Sequence, residues 1–287
     1  MNKKNTQKAF SLIELSIVIL IIGILVAGVT QSSRLVSEIR LSSARSVTQS
    51  SPVYSIPGIS SWIETTLESS FNSDFDDGAT VSQINDINRQ TMNKINFVQS
   101  TASKQPLYRK SNFNGLPSLA FDGVDDEMLS SVNLTAAEFA PSSRNTIFMV
   151  MRINTFQGVF FKFENSGTAI PRVGLEVNSN VLRFDYPNGS NMAVGTTNII
   201  GKTIIITADA NKVNQTIYLN GAQEVTRANA VDMNYSLTAP ISICGNNGNL
   251  YVKCDLAEMI FFDRSLKTEE RKSIEQYLGR KWGIKIS

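Results

Sequence analysis

The longest apolar segment of the chain lies near its amino end and runs from Phe10 to Val29. Only Ser11, Glu14 and Ser16 place polar side chains among these twenty residues. A helix of that length rises about 30 Å, which matches the hydrocarbon core of a bilayer. The pattern therefore predicts a long N-terminal helix that crosses a membrane once.

Apolar residues continue at helical spacing beyond this segment, at Leu35, Val36, Ile39, Ala44 and Val47. The membrane helix is therefore predicted to continue as a stem, so that residues 10–51 form one transmembrane and stem helix. Pro52 and Pro57 then end any helix, because proline lacks the backbone N–H that a helix interior needs. We expect a linker over residues 52–58 and a head domain over residues 59–287.

From residue 145 onward the pattern changes to short segments rich in β-branched and aromatic residues. These segments are Thr146–Ile153, Val159–Phe163, Val173–Val177, Val181–Tyr186, Thr203–Thr207, Gln215–Leu219, Glu224–Thr226 and Asp255–Phe262. Asn-Gly pairs at 188–189, 220–221 and 247–248 supply turns between them. Evenly spaced strands without intervening helices indicate a mainly β, antiparallel sandwich.

Two regions of the head depart from this strand pattern. Residues 60–131 are mixed in character and rich in turn residues. Near the carboxyl end, the segment that begins at Ser265 is similar to a capping box and predicts a helix through Arg280. We expect that helix to end near Trp282 and Gly283.

Charged residues flank the apolar segment unequally. Lys3, Lys4 and Lys8 precede it, and no charge follows it until Arg34. By the positive-inside bias, the amino end stays in the cytoplasm and the rest of the chain is sent across the membrane. We therefore expect the head on the periplasmic or extracellular side.

The residues around the start of the apolar segment, Lys8-Ala-Phe-Ser-Leu-Ile-Glu14, resemble the cleavage and methylation motif of type IV prepilins and type II secretion pseudopilins. The resemblance implies that residues 1–9 are a leader, which a membrane prepilin peptidase removes between Ala9 and Phe10. The same enzyme would then methylate the new amino group of Phe10. Ala9 stands where the family usually has Gly, and it keeps a small side chain. The resemblance also implies assembly with other pilin subunits into a helical filament by a cytoplasmic ATPase.

Glu14 is the only charged residue inside the apolar segment. A carboxylate in lipid costs several kcal/mol unless it finds a partner. After cleavage, the amino group of Phe10 lies about one helical turn away, too strained for a good contact within one chain but available from a neighbouring subunit. We predict an intersubunit pair between Glu14 and the Phe10 amine. The alternative is that Glu14 snorkels to the nearby membrane face.

Composition narrows the functions open to the head. The chain contains no histidine, which excludes Ser-His-Asp and Cys-His catalysis and any His-containing zinc site. Its formal charge is +2, and loss of the three leader lysines reduces the 27 basic residues to 24, against 25 acidic ones. No nucleic-acid partner is predicted from this balance.

The two cysteines, Cys244 and Cys254, flank a short loop rich in Gly and Asn. Outside the cytoplasm, a disulfide that staples a hairpin-like loop is the natural prediction. Two buried free thiols are the alternative, and two cysteines alone cannot complete a zinc site.

Parts of the head resemble the bacterial concanavalin A-like, laminin-G-type superfamily of lectins and glucanases: Phe121–Asp126, the hairpin Ile217–Gly221, and the tail segments Leu256–Arg271 and Tyr277–Gly283. The resemblance covers residues 59–286 and implies a jelly-roll sandwich that binds a glycan or a surface protein. The superfamily also includes adhesins, hydrolases and plain scaffolds, so the resemblance predicts a fold better than a function.

Hydrolases of that superfamily carry two carboxylates on one face of a strand. No Glu-x-Asp-x-Glu or Glu-x-Asp-x-x-Glu run occurs in a strand here. Glu258 has only apolar neighbours in the sequence, and Glu164 and Glu176 are isolated. We therefore expect that the chain is not an enzyme and requires no cofactor.

Two further groups of residues are candidates for ligand binding. Asp122, Asp125 and Asp126 are candidate calcium ligands, although Asp residues beside a strand end also form turns by hydrogen bonding to nearby backbone groups. Four aromatic residues are candidates for stacking on sugar rings, or else anchors of the core and turns: Trp62, Tyr186, Tyr235 and Tyr251.

These features favour a minor pilin, held in the bacterial inner membrane with its head in the periplasm and then displayed on a pilus at the cell surface. A head of this size is bulky for close helical packing, which favours a minor or tip position. A type II secretion pseudopilin is the alternative, and a membrane-tethered carbohydrate-active enzyme is a weaker one.

Replacing Glu14 with Gln removes the carboxylate and keeps the size of the side chain. We expect incorporation of the chain into filaments to fall, because the Phe10 amine of the neighbouring subunit loses its charged partner. The amount of subunit in filaments sheared from cells, relative to the total in those cells, measures the effect. Glu38→Gln, outside the apolar segment, is the control, and undiminished assembly of the Glu14 variant would count against the pair.

Overall fold

The computed structural model describes residues 12–140, 144–164, 173–186, 192–228, 238–246 and 248–287. Two compact units can be distinguished, one up to Ser43 and one from Ala44 to Ser287. Helix α1, Leu12–Gln49, begins in the first unit and ends in the second. Its segment Leu12–Val29 is long and apolar enough to cross a membrane, with a mean hydropathy of 2.9. The predicted N-terminal apolar helix is confirmed.

The second unit consists mainly of short strands. In chain order, its elements are β1 Ile59–Glu64, β2 Gln83–Ile84, β3 Phe97–Val98, β4 Leu107–Phe113, β5 Leu116–Asp122, β6 Met128–Ser130, β7 Leu134–Thr135, α2 Ala136–Phe139, β8 Asn145–Ile153, β9 Gln157–Phe163, β10 Val173–Asn178, β11 Val181–Asp185, β12 Met192–Val194, β13 Thr203–Ala210, β14 Asn214–Leu219, β15 Ala222–Ala228, β16 Thr238–Ala239, β17 Ile241–Ile243, β18 Lys253–Phe262 and α3 Thr268–Trp282.

Two eight-stranded antiparallel sheets form among the described residues. Sheet A has the order β15-β14-β13-β8-β18-β5-β4, with β1 paired to the second half of β18. Sheet B has the order β12-β11-β10-β9-β17-β6-β3-β2. Strands β7 and β16 form a separate pair. The head is therefore a mainly β, antiparallel sandwich, as the strand pattern predicts.

The main core lies between the two sheets. Side chains along β8 point alternately to the two faces of sheet A. Those that point into this core belong to Ile147, Met149, Met151 and Ile153. Phe139 of α2 connects the sheets, since its ring stacks 4.1 Å from that of Phe163 in sheet B and 4.8 Å from that of Phe261 in sheet A. Buried aromatic area of this kind is a large part of what holds such a sandwich together.

Helix α3 covers part of the outer face of sheet A. Thr207 of β13 donates a hydrogen bond to Glu275 of α3 at 2.8 Å, and the ring of Phe113 in β4 contacts Trp282 edge to face at 5.6 Å. Phe148 and Ile260 point outward by strand alternation, yet both are fully buried. The outer face of sheet A therefore carries a second apolar layer.

A fully buried ion cluster joins α3 to strands β1 and β18. The ammonium of Lys281 lies 2.7 Å from Glu64 Oε2 and 2.8 Å from Glu258 Oε2. Three aromatic groups also donate to Glu258, each at 2.7 Å: the indole N–H groups of Trp62 and Trp282 and the hydroxyl of Tyr277. Glu258 therefore lies among polar donors, although its sequence neighbours are apolar.

The carboxylate of Glu64 is also surrounded by hydrogen-bond donors. It accepts hydrogen bonds from the backbone N–H of Thr66 at 2.8 Å, the backbone N–H of Leu67 at 2.6 Å and the hydroxyl of Ser70 at 2.7 Å. Burial acts to raise the pKa of Glu64, but the charge of the Lys281 ammonium and side-chain hydrogen bonds from Lys281, Thr66 and Ser70 outweigh it and lower the pKa. Burial acts to lower the pKa of Lys281, and the two carboxylates outweigh it and raise the pKa.

The end of α1 contacts the same region of the head. Thr48 is fully buried, with its hydroxyl 3.5 Å from that of Tyr277. Arg45 donates from Nε to the carbonyl of Thr66 at 2.8 Å. In the predicted linker, Val53 and Ile56 are buried against the head. The predicted boundaries at residues 51 and 58 stay predictions, while residues from Ala44 onward belong to the same compact unit as the sandwich.

The turn between β14 and β15 and the end of α3 agree with their local sequence signals. The predicted start of α3 at Ser265 is wrong, because the helix begins at Thr268 and it is the backbone N–H of Lys267 that donates to Glu270, at 2.8 Å. Asn220 and Gly221 have φ of 49° and 85°, as a type I′ turn requires, and they connect β14 to β15. Helix α3 ends at Trp282, and Gly283 follows with φ of 66°. The pairs at 188–189 and 247–248 include residues outside the described ranges. The mixed region 60–131 contains strands β1 to β6, which its weak periodicity does not reveal.

Cys244 and Cys254 form a disulfide, and the structure has no free cysteine. The predicted staple is confirmed, and the alternative of two free thiols is wrong. The bond joins the end of β17 in sheet B to the start of β18 in sheet A.

Lys281→Met removes the only cation that contacts Glu64 and Glu258 in this cluster, and it leaves two buried carboxylates. We expect the free energy of unfolding of the head to fall by about 3–5 kcal/mol, the cost of breaking a buried ion pair. Tryptophan fluorescence during urea unfolding of the detergent-solubilised chain measures this, because both tryptophans of the chain lie in the cluster. Lys272→Met, an exposed position of α3, is the matched control, and equal stability of the two variants would contradict the expectation.

The two pKa shifts also predict how stability depends on pH. The pKa of Glu64 is lowered on folding, so its contribution is present above pH 4.5 and is lost as the pH falls further. The pKa of Lys281 is raised on folding, so its contribution is present below pH 10.5 and is lost as the pH rises further. Urea unfolding at a series of pH values should therefore show a decline on each side. The alkaline decline should be smaller in Lys281→Met, and an identical decline would show that Lys281 does not cause it.

Candidate functional site

The predicted processing and assembly residues lie at the amino end of the chain. Ala9 and Phe10 are outside the described residues, so cleavage and methylation there stay predictions. Glu14 lies in the first turn of α1 at an exposed position. Farther along α1, Leu35, Val36 and Ile39 each expose about half of their side chains. Within the described chain, α1 thus presents apolar surface well past the segment that could span a membrane.

The three aspartates proposed as calcium ligands do lie together, with one carboxylate oxygen of each within 4.8 Å of the others. Two of them are already hydrogen-bonded. Asp122 Oδ1 accepts from the backbone N–H of Val124 at 2.7 Å, and Asp126 Oδ2 accepts from the backbone N–H of Asp122 at 2.9 Å. These bonds are those of a self-capped turn, and calcium binding stays a prediction.

The electrostatic environment of Asp126 reflects this crowding. Burial raises the pKa of Asp126 to about 6; the hydrogen bond from the Asp122 backbone opposes the rise, and the carboxylates of Asp122 and Asp125 add to it. Gly123 is required in this turn, because it has φ of 78° and an added Cβ would lie 2.6 Å from the backbone nitrogen of Lys253. The turn is therefore locked against the first residue of β18.

The aromatic residues proposed to stack on sugars are mostly unavailable. Trp62 and Tyr186 are fully buried, so neither presents a ring to solvent. Tyr251 is partly exposed, and Tyr235 lies outside the described residues. For Trp62 and Tyr186 the stacking hypothesis is wrong, and the core-anchor alternative holds.

A polar groove lies on the part of the outer face of sheet A that carries Arg152. Arg152 of β8 is in register with Asp255 of β18, which is in register with Ala120 of β5. These three residues point outward, because their neighbours Met151, Leu256 and Leu119 point into the core. The small side chain of Ala120 leaves space between the longer ones. The cavity has a volume of about 520 Å³.

A closed set of hydrogen bonds holds the centre of this groove. Arg152 donates from Nε and Nη2 to Asp255 Oδ2 at 3.0 and 2.7 Å, and from Nη2 to Asn112 Oδ1 at 2.8 Å. Asn112 in turn donates to Asp255 Oδ1 at 2.6 Å. The Asp255 side chain is only 9% exposed, whereas that of Arg152 is 27% exposed. The guanidinium is therefore fixed in place while one of its edges still faces the groove.

The rim of the groove adds further charges. Arg109 lies 3.6 Å from Asp77, and both side chains are well exposed. Lys253 also lines the groove, and its ammonium makes no hydrogen bond or ion pair with the described residues. Three cationic and two acidic side chains line the groove, which leaves one positive charge in excess.

Sequence reasoning missed this groove, although part of the signal was present. Arg152 is the only charged residue in the apolar strand β8, and Asp255 begins the apolar run of β18. Strand alternation alone places both on the face opposite the core. Their pairing depends on β8 and β18 being neighbours in sheet A, which no local pattern gives.

The chain is similar to known proteins at its N-terminus. A family model described as the prokaryotic N-terminal methylation motif matches residues 4–30. Curated proteins gave no match. The N-terminus is thus type IV pilin-like, which implies processing by a prepilin peptidase and assembly with other pilins. Together with the apolar helix, this is consistent with a membrane-anchored protein.

Several solved structures of Trypanosoma rangeli sialidase resemble the chain in fold. The complex with 2-keto-3-deoxy-D-glycero-D-galacto-2,3-difluoro-nononic acid matches with a TM-score of 0.54 at 13% identity, over 81% of this chain and 34% of the sialidase. The covalent intermediate with 2,3-difluorosialic acid matches with a TM-score of 0.53 at 12% identity, over the same shares. The chain thus spans about a third of the length of these sialidases, and at this identity the likeness shows a fold alone. The concanavalin A-like, laminin-G form of the sandwich stays a prediction.

Calcium binding at the aspartate turn can be tested directly. If the turn binds calcium, the ion should raise the free energy of unfolding by about 1.4 kcal/mol when its concentration exceeds Kd about tenfold. Asp125→Asn should abolish this gain, because it removes a ligand but neither of the two side-chain acceptors, Asp122 and Asp126, that close the turn. Asp74→Asn, at an exposed acid elsewhere in the head, is the control. If millimolar calcium does not change the stability of the parent chain, the acids serve only the turn.

Proposed function

We propose that the chain is a minor pilin: its N-terminal helix assembles with other pilin subunits, and its sandwich head is displayed to bind a glycan or a surface protein. The observation that carries the proposal is the methylation motif at the start of a helix whose apolar residues are exposed throughout Leu12–Val29. Such a surface is stable only in lipid or against other apolar helices. Membrane insertion followed by assembly provides both environments in turn.

The stem supports assembly beyond the membrane. Leu35 and Ile39 are one helical turn apart, and Val36 adjoins them, so the three form one apolar patch. The patch lies past the segment that could span a membrane, so lipid does not cover it. Neighbouring stems in a helical bundle are the natural partner, as in other parallel helix assemblies.

The head fits a binding role better than a catalytic one. In the groove, Asp255 is already neutralised by Arg152 and bonded to Asn112, so it is not an available acid or base. Catalysis by a carboxylate pair needs two such groups on either side of the substrate bond. The proposed location is the bacterial inner membrane with the head in the periplasm, followed by the pilus at the cell surface.

A type II secretion pseudopilin would carry the same N-terminal motif and is the second candidate. The two functions differ in where the processed chain is found. Mass spectrometry of filaments sheared from intact cells should identify a peptide that begins at N-methylated Phe10. Processed chain found only in the membrane fraction, with loss of protein secretion on deletion of the gene, would favour the pseudopilin. An unprocessed Met1 terminus would contradict both.

A further inference from the structure

We propose that the groove on sheet A binds a carboxylate-bearing saccharide, with Arg152 and Lys253 as its anion-binding groups. This proposal deepens the proposed function, since it rests on the head being a binding module and names the chemistry of its ligand.

Arg152 is prepared to bind an anion. Its Nε and Nη2 are occupied by Asp255 and Asn112, and its Nη1 has no partner among the described residues. Because these bonds already fix the side chain, a ligand that accepts from Nη1 does not have to order a flexible arginine. A carboxylate oxygen makes a charge-assisted bond to such a donor, which is stronger than a neutral one.

Lys253 provides the second cationic group. It begins β18 and lies two positions before Asp255, so strand alternation puts its side chain on the same outer face. Its ammonium has no acid partner in the described chain. The exposed lysine and the fixed arginine therefore leave positive charge that the two acids of the groove do not neutralise completely.

Other side chains that line the groove can form hydrogen bonds with the hydroxyl groups of a sugar. Ser111 and Asn154 combine hydrogen-bond donors and acceptors, and Asp77 adds an acceptor at the rim. Of the apolar residues in the lining, Phe121 and Cys254 are buried, and only the small side chain of Ala120 is partly exposed. An acidic peptide would leave its apolar side chains without a pocket, whereas a sugar acid presents one carboxylate among several hydroxyls. The cavity volume of about 520 Å³ lies within the range of small-ligand sites, about 300–1,000 Å³.

The charge balance also argues against nucleic acid. Two carboxylates, Asp77 and Asp255, lie among the three cations, so the groove has one net positive charge. Nucleic-acid surfaces are instead broadly basic stripes that contact many phosphates. A saccharide that places one carboxylate in the groove matches this charge.

The test measures binding of two acidic probes, trigalacturonate and sialyllactose, to the full chain in detergent micelles by isothermal titration calorimetry. The methyl ester of trigalacturonate and unsialylated lactose are the matched neutral probes. We expect at least one acidic probe to bind, and its neutral match to bind about tenfold more weakly or not at all. Binding of trigalacturonate would identify a uronic acid as the ligand, and binding of sialyllactose would identify a sialic acid.

Substitutions in the groove test whether the acidic probe binds there. Lys253→Met should weaken binding of the acidic probe about tenfold without loss of stability, because the exposed ammonium has no partner among the described residues. Arg152→Met should abolish binding, and Arg109→Met should weaken it. Lys272→Met, an exposed lysine on α3 outside the groove, should bind as the parent does. Should Arg152→Met fail to fold because Asp255 loses its partner, Lys253→Met and Arg109→Met still decide the question.

The proposal is overturned if neither acidic probe binds, if each neutral probe binds as tightly as its acidic match, or if Lys253→Met and Arg109→Met both leave binding unchanged. None of these results affects the finding of methylated Phe10 in sheared filaments, so a wrong ligand can be told apart from a wrong assembly function.

Discussion

Lys281 lies fully buried with its ammonium 2.7 and 2.8 Å from two carboxylates, and the architecture of the head depends on this cluster. Removing such charges from water costs several kcal/mol per ion, and only complete pairing and hydrogen bonding offset that cost. Glu64 comes from β1, Glu258 from β18 and Lys281 from α3, so the three elements must be in place together. A slip of β1 by one residue would turn Glu64 to the opposite face of the sheet and leave the lysine with half its partners. The cluster thus specifies the register of β1 and the position of α3 at once.

Fixing α3 in this way divides the outer face of sheet A into two regions. Under the helix the face is apolar, with Phe148 and Ile260 buried. In the groove the face is polar, and Arg152 pairs with Asp255 there. The two ion pairs differ in exposure: Lys281 is closed off from solvent, whereas Arg152 keeps one edge toward the groove. The first kind of pair holds elements together, and the second leaves a charge that a ligand can use.

The two ends of the chain support different parts of the functional argument. The methylation motif and the exposed apolar helix are consistent with a membrane-anchored protein and imply assembly with other pilins. The sandwich by itself says little about function, since its likeness to sialidases is a likeness of fold over about a third of their length. A ligand can be argued only from the side chains that the sandwich brings together, such as Arg152 and Lys253 in the groove.

The sequence by itself determined the apolar helix, the longer strands from residue 145 onward, the turn at Asn220-Gly221 and the disulfide, but not the short strands β12, β16 and β17. Each of these depends on local periodicity, on the φ preference of two residues or on having just two cysteines, so no distant contact is needed to predict it. Only the tertiary structure decided the partners of Glu258, whose sequence neighbours are apolar, and the strands hidden in residues 60–131. It also decided that Trp62 is a buried donor to Glu258 and that Arg152 meets Asp255 across a strand pair 103 residues apart in sequence. Such contacts depend on which strands become neighbours, and strand order is set by packing of the whole core rather than by any local segment.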